Sequence, residues 1–292
     1  MITTKQRPLM NGEVRLKVAL AGICRTDVLV ANDLIPTPKN ITLGHEVCGL
    51  VVDTYSGCSI PINSHATIVP FYGCNHCVNC HNERYDLCDK SKMMGMHVEG
   101  LFADDVVVHE SNVKLLPKGI DMRLAAMTEP IAAVLAVKKA IDKNQAGLIL
   151  GNNRIAKLTQ RVLSASGFEN IELENESTDI NYDFIVETDP KDQIILEAVS
   201  RVRTAGTIVL KSRSANQISF PLHTLIEKEL VIKAVRYAEF EEAIDLLVEL
   251  NLDDLFGPVY QLEDFDNAFS AAMVDETCKH FFSLGGADVW DC

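Results

Sequence analysis

Apolar positions in the first hundred or so residues fall into short runs, at 14–21, 46–54 and 65–70, separated by Gly, Pro and Asn. Runs of this kind predict strands joined by turns, and a series of them predicts a β-barrel-like unit. From Glu129 the pattern changes. Residues 131–143 carry apolar positions at helical spacing, 147–151 form a short buried run, 154–166 are helical up to Gly167, and 171–174 predict a strand. Strands at 182–187, 207–210 and 230–234, with a helix at 193–203, continue the alternation, which predicts a parallel sheet covered by helices. The tail predicts helices at 240–250 and 265–273 and strands at 259–262 and 279–284. No internal repeat or low-complexity linker interrupts the chain.

A length of 292 residues suits two domains. The net charge of -14, with no cluster of Lys and Arg, argues against binding to nucleic acid or to an acidic membrane surface. Residues 1–10 lack an apolar core of signal-peptide length, and the most apolar later stretch, 131–150, is broken by Lys138, Lys139, Asp142 and Lys143. A cytoplasmic protein is the expectation.

Four of the nine cysteines, Cys74, Cys77, Cys80 and Cys88, make a C-x2-C-x2-C-x7-C run. Four thiolates so spaced can wrap one tetrahedral Zn²⁺ and leave no position open, as in a structural site. An iron-sulfur cluster is the competing reading, but there the fourth cysteine follows three residues on and precedes a proline, whereas Cys88 follows after seven and precedes Asp89. Cys48, Cys58, Cys278 and Cys292 are scattered and read as small buried hydrophobes or free thiols.

A second set is spread along the chain: Cys24 in Gly22-Ile23-Cys24-Arg25-Thr26-Asp27, His45 and Glu46 after Gly44, and Glu129 before Pro130. Thiolate, imidazole and carboxylate together are the ligand set of a catalytic zinc, which keeps one position for water or substrate. Taken singly, Cys24 reads as a core thiol, His45 as a satisfied core histidine, and Glu129 as a charge at a helix N-terminus.

These motifs, in this order and followed by a strand-Gly-helix unit, resemble the zinc-dependent medium-chain dehydrogenases of the alcohol dehydrogenase class, especially the sorbitol and threonine dehydrogenase branch. The resemblance implies a fold of α/β plus β class. A GroES-like β-barrel catalytic domain over 1–131 and 238–292 would be interrupted over 132–237 by a shortened Rossmann-like, doubly wound parallel sheet, with the active site in the cleft between them. It implies Cys24 and His45 as ligands of a catalytic zinc, and Glu46 or Glu129 as a carboxylate binding the metal directly or through its water. Thr26 would carry a proton between the alcohol and bulk water. Where the family often continues this relay with a histidine, this chain has Val28, Leu29 and Val30. Implied too are two zinc ions per chain, hydride transfer between a zinc-bound alcohol or carbonyl and NAD or NADP, and a homodimer or homotetramer.

The nucleotide turn departs from the family pattern. Gly151-Asn152-Asn153-Arg154-Ile155-Ala156 keeps the first of three glycines, with Asn153 at the second position and Ala, an accepted variant, at the third. The Asn153 side chain is expected to crowd the phosphates, while Arg154 and Lys157 attract them. Gly151, Asn153, Arg154, Ile155 and Lys211, at the end of the 207–210 strand, are the candidate cofactor contacts. Only seven residues separate Glu174 from Tyr182, too few for a helical crossover, so a βα unit of roughly 30 residues is missing beside the adenosine half. Glu172, Glu174 and Glu176 crowd the place of a 2′-phosphate and favour NAD over NADP. The broken turn and the deletion carry an alternative reading: a zinc-stabilised binding protein or pseudoenzyme that has lost its cofactor.

Overall fold

Strand Glu13–Gly22, buried along nearly its whole length, organises the larger of two main sheets. The computed structural model describes residues 7–176, 180–213 and 217–290. In it this strand pairs antiparallel with Glu46–Thr54, Asp105–His109 and Lys279–Ser283. The sheet runs in the order Phe256–Gln261, Lys279–Ser283, Glu13–Gly22, Glu46–Thr54, His65–Ile68 and Val113–Leu115. Antiparallel pairing lets the C-terminal strand close onto the first, with Gly22 opposite both Glu46 and Phe281. That register sets the start of Lys279–Ser283 beside Glu46, although the two lie more than 200 residues apart in sequence.

The second sheet is wholly parallel, in the order Val231–Ala234, Val202–Leu210, Tyr182–Glu187, Gly147–Leu150 and Ile171–Leu173. Its central strands are apolar on both faces because helices Arg154–Ala165 and Asp192–Arg201 cover them, giving separate apolar clusters on the two sides. The link from Ile171–Leu173 to Tyr182–Glu187 passes Gly147–Leu150, and its described residues hold a 3-10 turn, Glu174–Glu176, and no α-helix. A link of eight residues is enough to pass one strand, since neighbouring strands lie about 4.8 Å apart. Part of this connection, 177–179, lies outside the described residues.

Helix Thr128–Leu135 is buried almost throughout and packs in the same apolar cluster as Tyr237, Phe240, Phe281 and Trp290. Pro130 falls in its first turn, where the absent N–H costs no intrahelical bond. The 131–143 segment, expected as one helix, is α-helical only to Leu135 and continues as a 3-10 turn over Ala136–Ala140. Helices Arg25–Ala31 and Met122–Ala126 have no counterpart in the sequence reading, since five to seven residues are too few to display a helical period. No helix among the described residues is long and apolar enough to cross a membrane.

Candidate active site

Helix Arg25–Ala31 begins with a capping box whose cap is a cysteine. The Cys24 Sγ accepts from Thr26 N at 3.5 Å, and the Asp27 carboxylate accepts from Cys24 N at 2.9 Å. Asp27 is fully buried, and its other oxygen accepts from Gly44 N at 3.1 Å and lies 3.3 Å from His45 Nδ1. One carboxylate thus fixes the two segments that present Cys24 and His45, the way metal-site histidines are commonly oriented. Gly44 is required there: its φ is +96°, and a Cβ would lie 2.3 Å from the Phe102 ring.

Cys24, His45 and Glu46 bring their ligand atoms within 4.8 Å of one another, a set and a spacing that fit a zinc ion with an open position. Glu46 forms a buried ion pair with Lys279, both side chains being 2% exposed. Gly22 makes room for the pair, because a Cβ at that position would stand 2.5 Å from Glu46 Oε2 and 2.7 Å from Lys279 Cε. Glu129 stands outside the three-residue set and accepts a short hydrogen bond from the Tyr237 hydroxyl, which in turn accepts from Arg213 at 3.2 Å. Burial, then the neighbouring Glu129 carboxylate, hold the Tyr237 phenol well above the usual range, so it stays a donor to Glu129.

The four cysteines of the loop after Tyr72 also converge within 4.8 Å. Their sulfurs are 3.5 Å apart for Cys77 and Cys80 and 3.9 Å for Cys74 and Cys80, far from the S–S bond of a disulfide. Thiolates bound tetrahedrally at about 2.3 Å stand about 3.8 Å apart, so the set fits one zinc. Backbone N–H groups of Cys74 and Lys90 point at the Cys88 sulfur at 3.4 and 3.3 Å. Gly73 leaves room for the cluster, since its Cβ would stand 2.4 Å from the Cys80 sulfur.

The Cys24 centre opens into a cleft of about 500 Å³, the size of a small-molecule site. Thr26, Glu129 and Lys211 line it near the ligand set; Asn153, Arg154 and Ile155 line it where helix Arg154–Ala165 begins. Gly151 is in positive φ, +119°, and a Cβ would lie 2.3 Å from Thr188 Oγ1. Asn153 differs from expectation. Its backbone is extended, at φ -143°, and its side chain folds back to cap the helix, accepting from Ala156 N at 3.0 Å and donating to Thr188 O at 3.2 Å. A short polar side chain at a helix start finds these local partners before a ligand does.

Two amides at this turn already have protein acceptors. Gly151 N donates to Glu174 Oε2 at 2.7 Å, and Arg154 N donates to Glu276 O at 2.8 Å. Glu176 is engaged as well, accepting from Leu173 N at 2.9 Å and Gln160 at 3.1 Å. Lys211 donates to Arg236 O at 2.9 Å and lies 5.9 Å from the Tyr237 ring centre, toward the Glu129 side of the cleft. Burial, then the Arg213 charge, push its ammonium down to about 8. Local spacing assigns no role to Asp27, Tyr237, Arg213, Thr188 or Lys279. Lys279 alone left a signal, a cation at the head of an apolar strand.

Residues 10–118 match the alcohol dehydrogenase GroES-like domain. The sorbitol dehydrogenase of Halalkalibacterium halodurans is 25% identical, with 91% of this chain and 90% of that protein covered. The L-threonine 3-dehydrogenase of Pyrococcus abyssi is 32% identical over 53% of this chain and 47% of its own length. Among solved structures, a chain from Sinorhizobium meliloti 1021 described as a zinc-binding dehydrogenase bound to NADP superposes with a TM-score of 0.85. It is 21% identical, and 95% of this chain and 93% of that one are covered. Residues 10–118 thus carry the GroES-like domain of the alcohol dehydrogenases, and over nearly its whole length the chain is similar to dehydrogenases of that class.

Proposed function

We propose that this zinc-dependent oxidoreductase of the alcohol and polyol class transfers a hydride between a small alcohol or carbonyl compound and a nicotinamide cofactor in the cleft at Cys24. The observation that carries the reading is the convergence of Cys24, His45 and Glu46 at that cleft, with a helix start and the ends of parallel strands forming its other wall. Cys24 and His45 would hold the catalytic zinc, joined by a carboxylate. Glu46 has the position for it, and Glu129 stands by, held by Tyr237. Bound there, zinc supplies the Lewis acidity that favours the deprotonated form of an alcohol. Thr26, buried at the cleft wall, is the residue placed to carry the alcohol proton outward. Cys74, Cys77, Cys80 and Cys88 would hold a second, structural zinc.

The cofactor would lie against the start of helix Arg154–Ala165, near Gly151, Asn153, Arg154 and Ile155, with Lys211 further along the cleft. The three glutamates after residue 171 support NAD over NADP. The membership of the two main sheets supports a division into 1–131 with 238–292 and 132–237. The exposed edge strand Val231–Ala234 supports assembly into a homo-oligomer. The cytoplasm is the compartment that suits eight free cysteines among the described residues.

The test is zinc-loaded protein incubated with NAD⁺ or NADP⁺ and a panel of polyols and simple alcohols, followed by nicotinamide absorbance. Turnover that is lost in Cys24→Ser and on chelation supports the reading. Absence of turnover with every substrate in both directions overturns it.

A further inference from the structure

Beyond the two ligand sets, a third cluster closes where helix Phe265–Val274 gives way to strand Lys279–Ser283. Asp275, Cys278 and His280, a D-x2-C-x-H run, bring a carboxylate oxygen, a sulfur and a ring nitrogen within 4.8 Å of one another. Asp275 uses one oxygen, Oδ1, to accept from Thr277 N at 2.8 Å and Thr277 Oγ1 at 2.6 Å. That turn aims the other oxygen inward, 3.0 Å from Cys278 Sγ and 3.7 Å from His280 Nε2. The sulfur and Nε2 are 3.7 Å apart.

The His280 ring is only 4% exposed, stacks on Tyr260 and is poorly satisfied. Nδ1 has no hydrogen-bond partner, and Nε2 meets only the weakly bonding Cys278 sulfur, the carboxylate oxygen that faces it being beyond hydrogen-bond reach. A buried polar group left in this state is costly. A metal ion at the centre of the cluster would replace the weak sulfur contact of Nε2 with a coordinate bond. Zn²⁺ with bonds of about 2.0 to 2.3 Å in tetrahedral array sets its ligand atoms about 3.3 to 3.6 Å apart, so the observed separations need adjustments of about half an ångström at most. Thiolate and carboxylate together neutralise the ion, which limits repulsion from the nearby Arg154 charge.

We propose that Asp275, Cys278 and His280 form a third metal site, binding a single Zn²⁺ or Co²⁺ ion through one oxygen, one sulfur and one nitrogen. The set is that of a borderline metal, since hard Mg²⁺ and Ca²⁺ prefer oxygen alone. Three protein ligands leave a fourth position for water, and Asp275 and Cys278 are partly exposed, so the ion exchanges with solvent. Glu276 and Lys279, interleaved with the ligands, line the catalytic cleft, so the ion would stiffen one of its walls.

Full-length protein saturated with zinc at its tightest sites, then titrated with Co²⁺ and dialysed, tests the site. Wild type should take up one more metal ion per chain than Cys278→Ser and develop a thiolate-to-cobalt absorption band that the variant lacks. His280→Asn should behave like Cys278→Ser, and it covers the case in which the serine variant fails to fold. Added Zn²⁺ should also slow alkylation of Cys278, followed on its peptide by mass spectrometry, about tenfold or more, since a metal-held thiolate is a poor nucleophile. Equal metal content in wild type and both variants, or alkylation of Cys278 unaffected by Zn²⁺, overturns the proposal.

Discussion

Replacing Lys279 by Met isolates the ion pair beneath the candidate zinc centre. Met keeps most of the stem that packs beside Gly22 and removes only the ammonium. What remains is the Glu46 carboxylate, 2% exposed, without its cation. Breaking a buried pair from one side costs about 3–5 kcal/mol, because the surviving charge stays desolvated. At roughly 2–4 °C per kcal/mol for a chain of this size, the melting temperature should fall by about 6–20 °C. Removing both charges, in Glu46→Gln with Lys279→Met, should restore most of that loss, since a buried pair contributes little net stability over neutral groups of the same shape. The assay is urea or thermal unfolding of zinc-loaded protein for the wild type, both single variants and the double variant, with metal content measured on each. A Lys279→Met variant within about 1 kcal/mol of wild type would show that Glu46 does not depend on Lys279. A double variant as unstable as the two singles summed would show that the two charges are not coupled.

The remaining predictions concern metal, cofactor and assembly. Metal analysis should find two tightly held zinc ions per chain; Cys24→Ser should lose one and keep the fold, while Cys77→Ser should lose the other with a marked drop in stability. NADH should bind weakly, because the Gly151 and Arg154 amides already have protein acceptors. Asn153→Gly should leave NADH affinity little changed, because the Asn153 side chain already turns back onto the helix, and should cost a few tenths of a kcal/mol in capping, whereas Arg154→Ala should loosen NADH; submicromolar binding by wild type, measured by titration calorimetry, would refute this account of the turn. Lys211 is cationic below about pH 8 and neutral above, so cofactor affinity should decline as pH rises through about 8 in wild type and stay flat in Lys211→Met, read by fluorescence titration. Light scattering at micromolar concentration should give a dimer or larger mass, and Ile232→Lys on the exposed edge strand should shift it toward monomer.

The sequence by itself determined what depends on local spacing and residue type. The C-x2-C-x2-C-x7-C run specifies a four-thiolate lobe because its ligands lie on one short loop, and the strands and helices beyond Glu129 follow from apolar periodicity within each segment. Cys24, His45 and Glu46 were legible as candidates because thiolate, imidazole and carboxylate each sit in a short motif. Only the tertiary structure decided which carboxylate stands with them. Glu46 faces Cys24 and His45 because its strand pairs with Gly22, and Glu129 is held back by Tyr237, more than 100 residues away in sequence. The same pairing of remote strands buries Lys279 against Glu46, a contact that no spacing announces. Asn153 shows the converse limit. Its residue type permitted both a crowded phosphate turn and a helix cap, and Thr188, delivered by the end of a neighbouring parallel strand, selects the cap. Local pattern fixes which groups are available; long-range strand pairing decides which of them meet, because their partners come from segments whose separation in sequence carries no periodic signal.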